Sequence, residues 1–533
     1  VPVLYLPGIS RRELRAVEDC PQHLVPLAEL QYRSRWWATP NNNRDWTVTA
    51  LLSNNSVGLE LDVAKDEATN ERLIQVLEPL LEAEVTALKN KRITSAELGA
   101  LVVEDPIRDL LHWLDNPAIA KDWKKMRVQL LDQYCQATYG LAAREANISE
   151  FLPNLCEQPN QAWFALLTRF EDMAERLPGL LTQLETVQPI ALALRSECYL
   201  SLALQDEKQL EKTFASFTKQ SELEVDTRIT ELAQTTSQGG ITLWYKLGYT
   251  PYAQALAHLA ELVERKAKPL GGPNCEVMAN AYEREFWQLD NAALKSMACA
   301  NNDSQREVIA GVLSIIYTPW LAHTAERFQA LVKQGGYPNS PSVEIRERAP
   351  TTNYQIASQV IFFVDGLRFD VAHDLVEALH QQYEVKLGSQ WSALPSLTAT
   401  AKAAVTPIAK QLTGDDDSSS FTPKVANNDS DFSSTNFRKL LKDSGWQYLE
   451  GVETGDATGL AWVQTGDLDK TGHKEQRRLP SRIGDILDEV KSRIDGLKKA
   501  GWQHIRIVTD HGWLWVPDQL PKAHIVKLAT SEK

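Results

Sequence analysis

The chain of 533 residues is 43% hydrophobic and 24% charged, ordinary globular usage that excludes a largely disordered chain. At roughly 100–200 residues per domain it predicts about three domains. The 56 Lys and Arg against 70 Asp and Glu leave a net charge of −14, which excludes a chain-wide basic surface for nucleic acid but not a local groove.

No uninterrupted apolar stretch reaches the roughly 18 residues of a membrane span, and no signal-peptide pattern opens the sequence. Val1 at the start, and Ser531-Glu532-Lys533 following an apolar run at the end, are what a fragment cut at both ends would show. Six cysteines (Cys20, Cys135, Cys156, Cys198, Cys275 and Cys299) are scattered without a CxxC pair. That argues against a zinc ribbon or dithiol motif and fits a reducing, cytoplasmic compartment.

Three stretches follow in chain order. Residues 1–95 open with Val3-Leu4-Tyr5-Leu6, a short buried strand, then Pro7-Gly8 as a turn. Ser10 with Glu13 fits a capping box at a helix start. Strand, turn and helix predict a small α/β module, and the turn lacks the glycine pattern of a phosphate cradle.

Residues 96–335 read as an all-helical domain. Val308, Ile309, Val312, Leu313, Ile316, Trp320 and Leu321 recur at helical spacing, with breaks at Gly239-Gly240 and Gly271-Gly272-Pro273. His112, His258 and His323 each stand alone among apolar neighbours, as structural histidines do. The basic run Lys121, Lys124, Lys125 and Arg127 reads as a solvated face.

A linker signal, Gly335-Gly336-Tyr337-Pro338-Asn339-Ser340-Pro341, separates this from residues 355–533. There, apolar strands at residues 359–364 (QVIFFV), 460–464 and 504–509 alternate with helical patterns. One helix carries Ile483, Ile486, Leu487, Val490, Ile494 and Leu497 and stops at Gly501. The alternation predicts a mainly parallel sheet covered on both faces. Residues 414–435 form a polar, acidic insertion, read as a surface loop or as a lid beside a site.

Four motifs in this last stretch carry chemistry. Val364-Asp365-Gly366-Leu367-Arg368-Phe369-Asp370 places a carboxylate where a strand ends, the position at which open parallel sheets bind ligands. Val508-Thr509-Asp510-His511-Gly512 repeats this with an adjacent Asp and His, both metal-ligand types. Asp469-Lys470-Thr471-Gly472-His473 sets another Asp and His four apart, with Asp467 nearby. Leu394-Pro395-Ser396-Leu397-Thr398-Ala399-Thr400 puts hydroxyls at a helix start, where backbone N–H groups and the helix dipole favour phosphate. Taken singly, each motif is explained as well by a turn or a helix cap. As an ordered set they describe cation ligands around a hydroxyl nucleophile.

The set resembles the alkaline-phosphatase superfamily. VPVLYLPGISRRELRAVEDC, VDGLRFD, LPSLT and VTDHGWLW resemble, more narrowly, the PglZ family of BREX phage-defence systems. The resemblance implies an alkaline-phosphatase-like catalytic domain holding two divalent metal ions, with Zn²⁺ best suited to Asp and His ligands and Mn²⁺ as the alternative. Asp365, Thr398, Asp510 and His511 would surround one ion. Asp469 and His473 would hold the other, completed by His524 or by a histidine beyond Lys533. Thr398, three residues after Pro395, is the nucleophile the family pattern favours over Ser396 and Thr400. Arg368 would bind a substrate phosphate or form a structural ion pair.

The activity implied is phosphodiester hydrolysis on a nucleotide or nucleic acid, with phosphomonoesterase as the alternative. Arg477, Arg478, Arg482 and Lys474 are candidates to line a groove for such a substrate. The implied partners are a DNA methyltransferase, an ATPase and small accessory proteins, with no membrane. The competing reading is a scaffold subunit of the defence complex.

Overall fold

The computed structural model describes residues 22–26, 47–55, 58–83, 85–89, 91–103, 105–189, 198–237, 242–338, 357–414 and 423–518. The strand expected at residues 3–6, the helix start at Ser10 and Glu13, Cys20 and His524 lie outside them. The chain divides into two compact units, Val1–Ser201 and Leu202–Lys533, so the helical stretch expected over 96–335 contributes to both.

In the first unit, β1 (Asp62–Val63) and β2 (Arg92–Ile93) pair in parallel, with the Glu67–Gln75 helix in the connection. Asp66 caps that helix by accepting from Thr69 N at 2.8 Å. Leu52, Leu61, Val63, Leu73, Val76, Ile93 and Leu98 form its core. Further on, Asp105 caps the Pro106–Asp115 helix, and Tyr139, Phe151 and Trp163 pack their rings together.

The second unit holds a four-stranded, all-parallel sheet. Its strands are β3 (Gln359–Phe363), β6 (Trp446–Leu449), β7 (Leu460–Gln464) and β8 (His504–Val508), in the order β6-β7-β3-β8. A two-stranded antiparallel pair, β4 (Leu412–Thr413) and β5 (Lys424–Val425), flanks the part of the acidic insertion that lies outside the described residues. The insertion then ends at Ser433, which caps the Ser434–Asp443 helix.

β3 is buried along its whole length because both faces of the sheet are covered. Val360, Phe362 and Val364 face one core. On that side lie the helices Phe369–His380 and Pro480–Lys499, and the helices that precede the sheet in sequence. Ile361 and Phe363 face the other core, with Val405, Phe437, Leu441 and Trp462. The first core runs without a break from Leu210 to Trp515. That continuity is the physical reason the later helices belong with the sheet rather than with residues 96–201. The helix read from Ile483 to Leu497 spans Pro480–Lys499, and Gly501 follows it at φ +103°. Among the described residues no single helix is long and apolar enough to cross a membrane.

One buried acid in this unit replaces a missing helix cap. Thr250 gives the Pro251–Lys266 helix no side-chain cap. Instead Glu207, from the Leu200–Ser216 helix, accepts from Tyr252 N and Ala253 N, each at 2.8 Å. Burial pushes its carboxyl up to about 7, against the lowering effect of those two bonds. A folded-state value above the unfolded one favours the fold at low pH, and that contribution is lost as pH rises through about 7. Wild-type stability relative to Glu207→Gln should therefore fall by up to about 3 kcal/mol between pH 4.5 and 8, read from urea melts across that range.

Candidate metal centre

Register assembles the site. Phe363 pairs with Gln464 on one side and with Val508 on the other. The turns that follow these strands therefore leave the sheet at one level. They carry Asp365, Asp467 with Asp469, and Asp510 with His511. The helix Thr398–Val405 arrives from the β3 side with Thr398 as its first residue.

Asp365, Asp510 and His511 offer ligand atoms that all lie within 4.8 Å of one another. His511 Nε2 is 3.8 Å from Asp365 Oδ1 and 3.8 Å from Asp510 Oδ2. Thr398 Oγ1 closes the ring, 2.9 Å from His511 Nε2 and 3.3 Å from Asp365 Oδ1. Leu397 is the N-cap and makes no side-chain cap bond, so the Thr398 hydroxyl is committed to this cluster rather than to capping. Ser396 is exposed.

Proton counting shows what the cluster lacks. His511 Nδ1 is 2.9 Å from Gly512 O, and a carbonyl only accepts, so Nδ1 carries the proton and Nε2 presents a lone pair. The single Thr398 proton then faces two acceptors, Nε2 and an Asp365 oxygen. Asp510 Oδ1 accepts from His511 N at 3.0 Å and Gly366 N at 3.4 Å, whereas its Oδ2 is buried with no hydrogen-bond partner among the described residues. Two carboxylates, an imidazole lone pair and a hydroxyl around an orphaned oxygen form a donor set that fits a divalent cation.

The electrostatics agree. Burial, then Asp510, Asp467 and Asp469, push the Asp365 carboxyl up to about 6, with His511 opposing. Burial also raises Asp510, against His511 and the backbone N–H groups of Asp510, Gly366 and His511.

Further contacts hold these turns. Leu367 N donates to Thr509 Oγ1 at 2.9 Å, Ser392 Oγ donates to Asp510 O at 2.8 Å, and Trp513 Nε1 donates to Gly366 O at 2.7 Å. Gly366 sits at φ +68°, and a Cβ there would lie 3.1 Å from the Asp469 backbone nitrogen. Glycine is thus required both for conformation and for close approach.

Asp469 and His473 share the Leu468–Glu475 helix, with His473 Nε2 3.5 Å from Asp469 Oδ2. The His473 side chain is 82% exposed, and these two form a pair apart from the three-residue cluster. Asp467 caps the same helix by accepting from Lys470 N at 2.8 Å.

Arg368 turns away from solvent. It forms a bidentate pair with Asp370, both bonds 2.6 Å, and its guanidinium lies 4.2 Å from the Trp513 ring centroid. Burial alone would lower its pKa, but Asp370, Asp290 and Tyr317 together outweigh it and the net shift is upward. Asp290 lies nearby and takes hydroxyl protons from Tyr282 and Tyr317, both at 2.5 Å. Burial raises its pKa, with Arg368 opposing. Of the basic residues expected to line a groove, Arg478 pairs with Asp303, Arg477 with Asp518 and Arg482 with Asp485.

No protein-family model, curated protein or solved structure matches the chain. The sequence reading did not single out Thr509, Ser392, Trp513 or Lys402. Thr509 and Trp513 flank the Asp510-His511 pair closely enough for the motif itself to have flagged them.

Zinc or manganese at about 100 times its Kd should stabilise the wild type by about 2.7 kcal/mol, reversibly with chelator, and Asp510→Asn should abolish the effect in thermal melts. Arg368→Ala leaves Asp370, 0% exposed, without its ion-pair partner. It should cost about 3–5 kcal/mol in urea unfolding. A raised KM with unchanged stability would instead assign Arg368 to substrate.

Proposed function

We propose that the chain is a metal-dependent phosphoesterase of the alkaline-phosphatase type that hydrolyses phosphodiesters of nucleotides or nucleic acid with Thr398 as nucleophile. The observation that carries this reading is the Thr398 hydroxyl at a helix N-terminus, 2.9 Å from His511 Nε2 and 3.3 Å from Asp365, within a largely buried set of metal-type donors. A divalent ion held by Asp365, Asp510 and His511 would make that hydroxyl easier to deprotonate and would offset charge on the phosphate.

The residues divide the work. Thr398 Oγ1 attacks phosphorus and the first alcohol leaves carrying a proton, giving a threonyl ester of the phosphate that still bears the second alcohol; water then cleaves the threonyl bond, restoring the Thr398 hydroxyl and releasing the phosphomonoester. The first turn of the Thr398–Val405 helix points its N–H groups and dipole at the phosphate. Gly366 N and His511 N hold Asp510 so that its second oxygen faces the cluster. Asp469 and His473, with a further histidine such as His524, are the proposed holders of a second ion. Zinc or manganese suits either set.

The motif resemblance extends the proposal to a role in BREX-type phage defence beside a methyltransferase, an ATPase and accessory proteins, in the cytoplasm.

The test uses bis-(4-nitrophenyl) phosphate and 4-nitrophenyl phosphate with added zinc or manganese. The diester should be cleaved faster. Thr398→Ala should lose at least about a thousandfold in kcat, with metal affinity and melting temperature retained. Full activity in that variant ends the assignment.

A further inference from the structure

The Thr398–Val405 helix reads TATAKAAV, and Ala401, Ala403, Ala404 and Val405 are buried. A lysine sits among them. Lys402 lies four residues after Thr398, so both occupy one face of the helix. Long helical side chains run back toward the helix N-terminus, which here is the end that carries Thr398. The sheet fixes where the ammonium ends. Lys402 Nζ is 4.6 Å from the ring centroid of Phe363. Phe363 is the last residue of β3, and Asp365 lies two residues further on in the turn that follows. The ammonium is thus held at the strand end from which Asp365 departs, and Asp365 acts on it through space more strongly than any other acid.

Its immediate partners are neutral. The Gln464 amide satisfies its neighbours when its oxygen faces Lys402. It then accepts from Lys402 Nζ at 2.9 Å and from Trp462 Nε1 at 3.0 Å. With the Phe363 ring, that gives a cation held by an amide oxygen and an aromatic face. Among the described residues no carboxylate reaches ion-pair distance of this ammonium. Burial lowers its pKa, and Asp365, Asp510 and Asp467 oppose that through space by favouring the charged form. A half-buried lysine without an ion-pair partner is costly, and the fold nonetheless keeps it near these acids.

We propose that Lys402 is a positioning residue of the metal centre. Its positive charge close to Asp365 offsets the clustered carboxylates, repels a bound divalent ion and favours negative charge developing on Thr398 and on the entering phosphate. This rests on the phosphoesterase reading above. It predicts two effects of opposite sign. Removing the charge strengthens ion binding, because a like charge is gone, and slows turnover, because the oxyanion and the phosphate lose a cation. A lysine that only packs against Phe363 yields no such pair of effects. Its loss would leave both properties alone or weaken both together.

The test compares the wild type with Lys402→Met, Lys402→Gln and Lys402→Arg, each checked by circular dichroism and thermal melting. Zinc and manganese affinities come from calorimetry, and kcat and KM from diester hydrolysis. The two neutral variants should bind the ion roughly tenfold more tightly, as expected for one unit charge several Å from a dication, and turn over at least about tenfold more slowly. Lys402→Arg should resemble the wild type in both. Either neutral variant suffices if the other does not fold. Unchanged or weaker ion affinity in a folded neutral variant overturns the role of Lys402 and leaves the phosphoesterase reading standing. A wild type that binds no divalent ion overturns both.

Discussion

Parallel pairing in a single register is the constraint from which the site follows. Because β7 and β8 both align with β3 at Phe363, their chains turn at the same height. Two of the turns then bring Asp365, Asp510 and His511 within reach of one point, and the third sets Asp467 and Asp469 near enough to act on Asp365 through space. A slip of one residue in either neighbour would send its side chains to the opposite face. It would move Asp510 and His511, or Asp467 and Asp469, away from Asp365. The continuous burial of β3 and its alternation between two cores make such a slip costly. Precision at the site is thus set by apolar contacts far larger in sum than the polar contacts they align.

The same arrangement puts charge where the fold would not otherwise keep it. Asp365 and Asp510 are raised by burial, and Asp365 further by its acidic neighbours. Such a cluster destabilises the protein at neutral pH unless a cation arrives. Beneath it, Arg368, Asp370 and Asp290 form a second buried ionic group, quenched by its own hydrogen bonds. The contrast separates the two roles. In the lower group Arg368 and Asp370 meet through two direct bonds and both Asp290 oxygens accept hydroxyl protons. In the upper group Asp510 Oδ2 is orphaned and one hydroxyl proton serves two acceptors. Incomplete satisfaction among clustered metal-type donors leaves the upper group able to take a cation, which the lower group is not.

Much of this was legible in the sequence because it rests on periodicity and on strand ends. QVIFFV announced a strand buried on both faces, and Asp365 and Asp510 fell at strand termini where ligands collect. The Pro480–Lys499 helix followed its apolar spacing closely. What could not be read depended on partners distant in sequence. Arg368 looks equally suited to a phosphate or to a carboxylate until Asp370 and Trp513 are seen around it. Lys402 looks like an ordinary helix residue until Phe363 is found beneath it. The division near Ser201 was hidden because helices on either side of it share one periodicity. Only the core they bury tells them apart.

The two proposed ion positions differ in what the fold has already done for them. Asp510 and His511 are buried and Asp365 is partly buried, and backbone bonds to Gly366 N, His511 N and Gly512 O hold the first two in orientation. An ion entering there meets donors whose rotamers are already restricted. At Asp469 and His473 the imidazole projects into solvent on a helix surface, 82% exposed. An ion there would first have to still that side chain, at a cost of up to about 1–2 kcal/mol in lost freedom, and would screen its charge less from water. If both positions take an ion, preorganisation favours filling the Asp365 position before the outer pair.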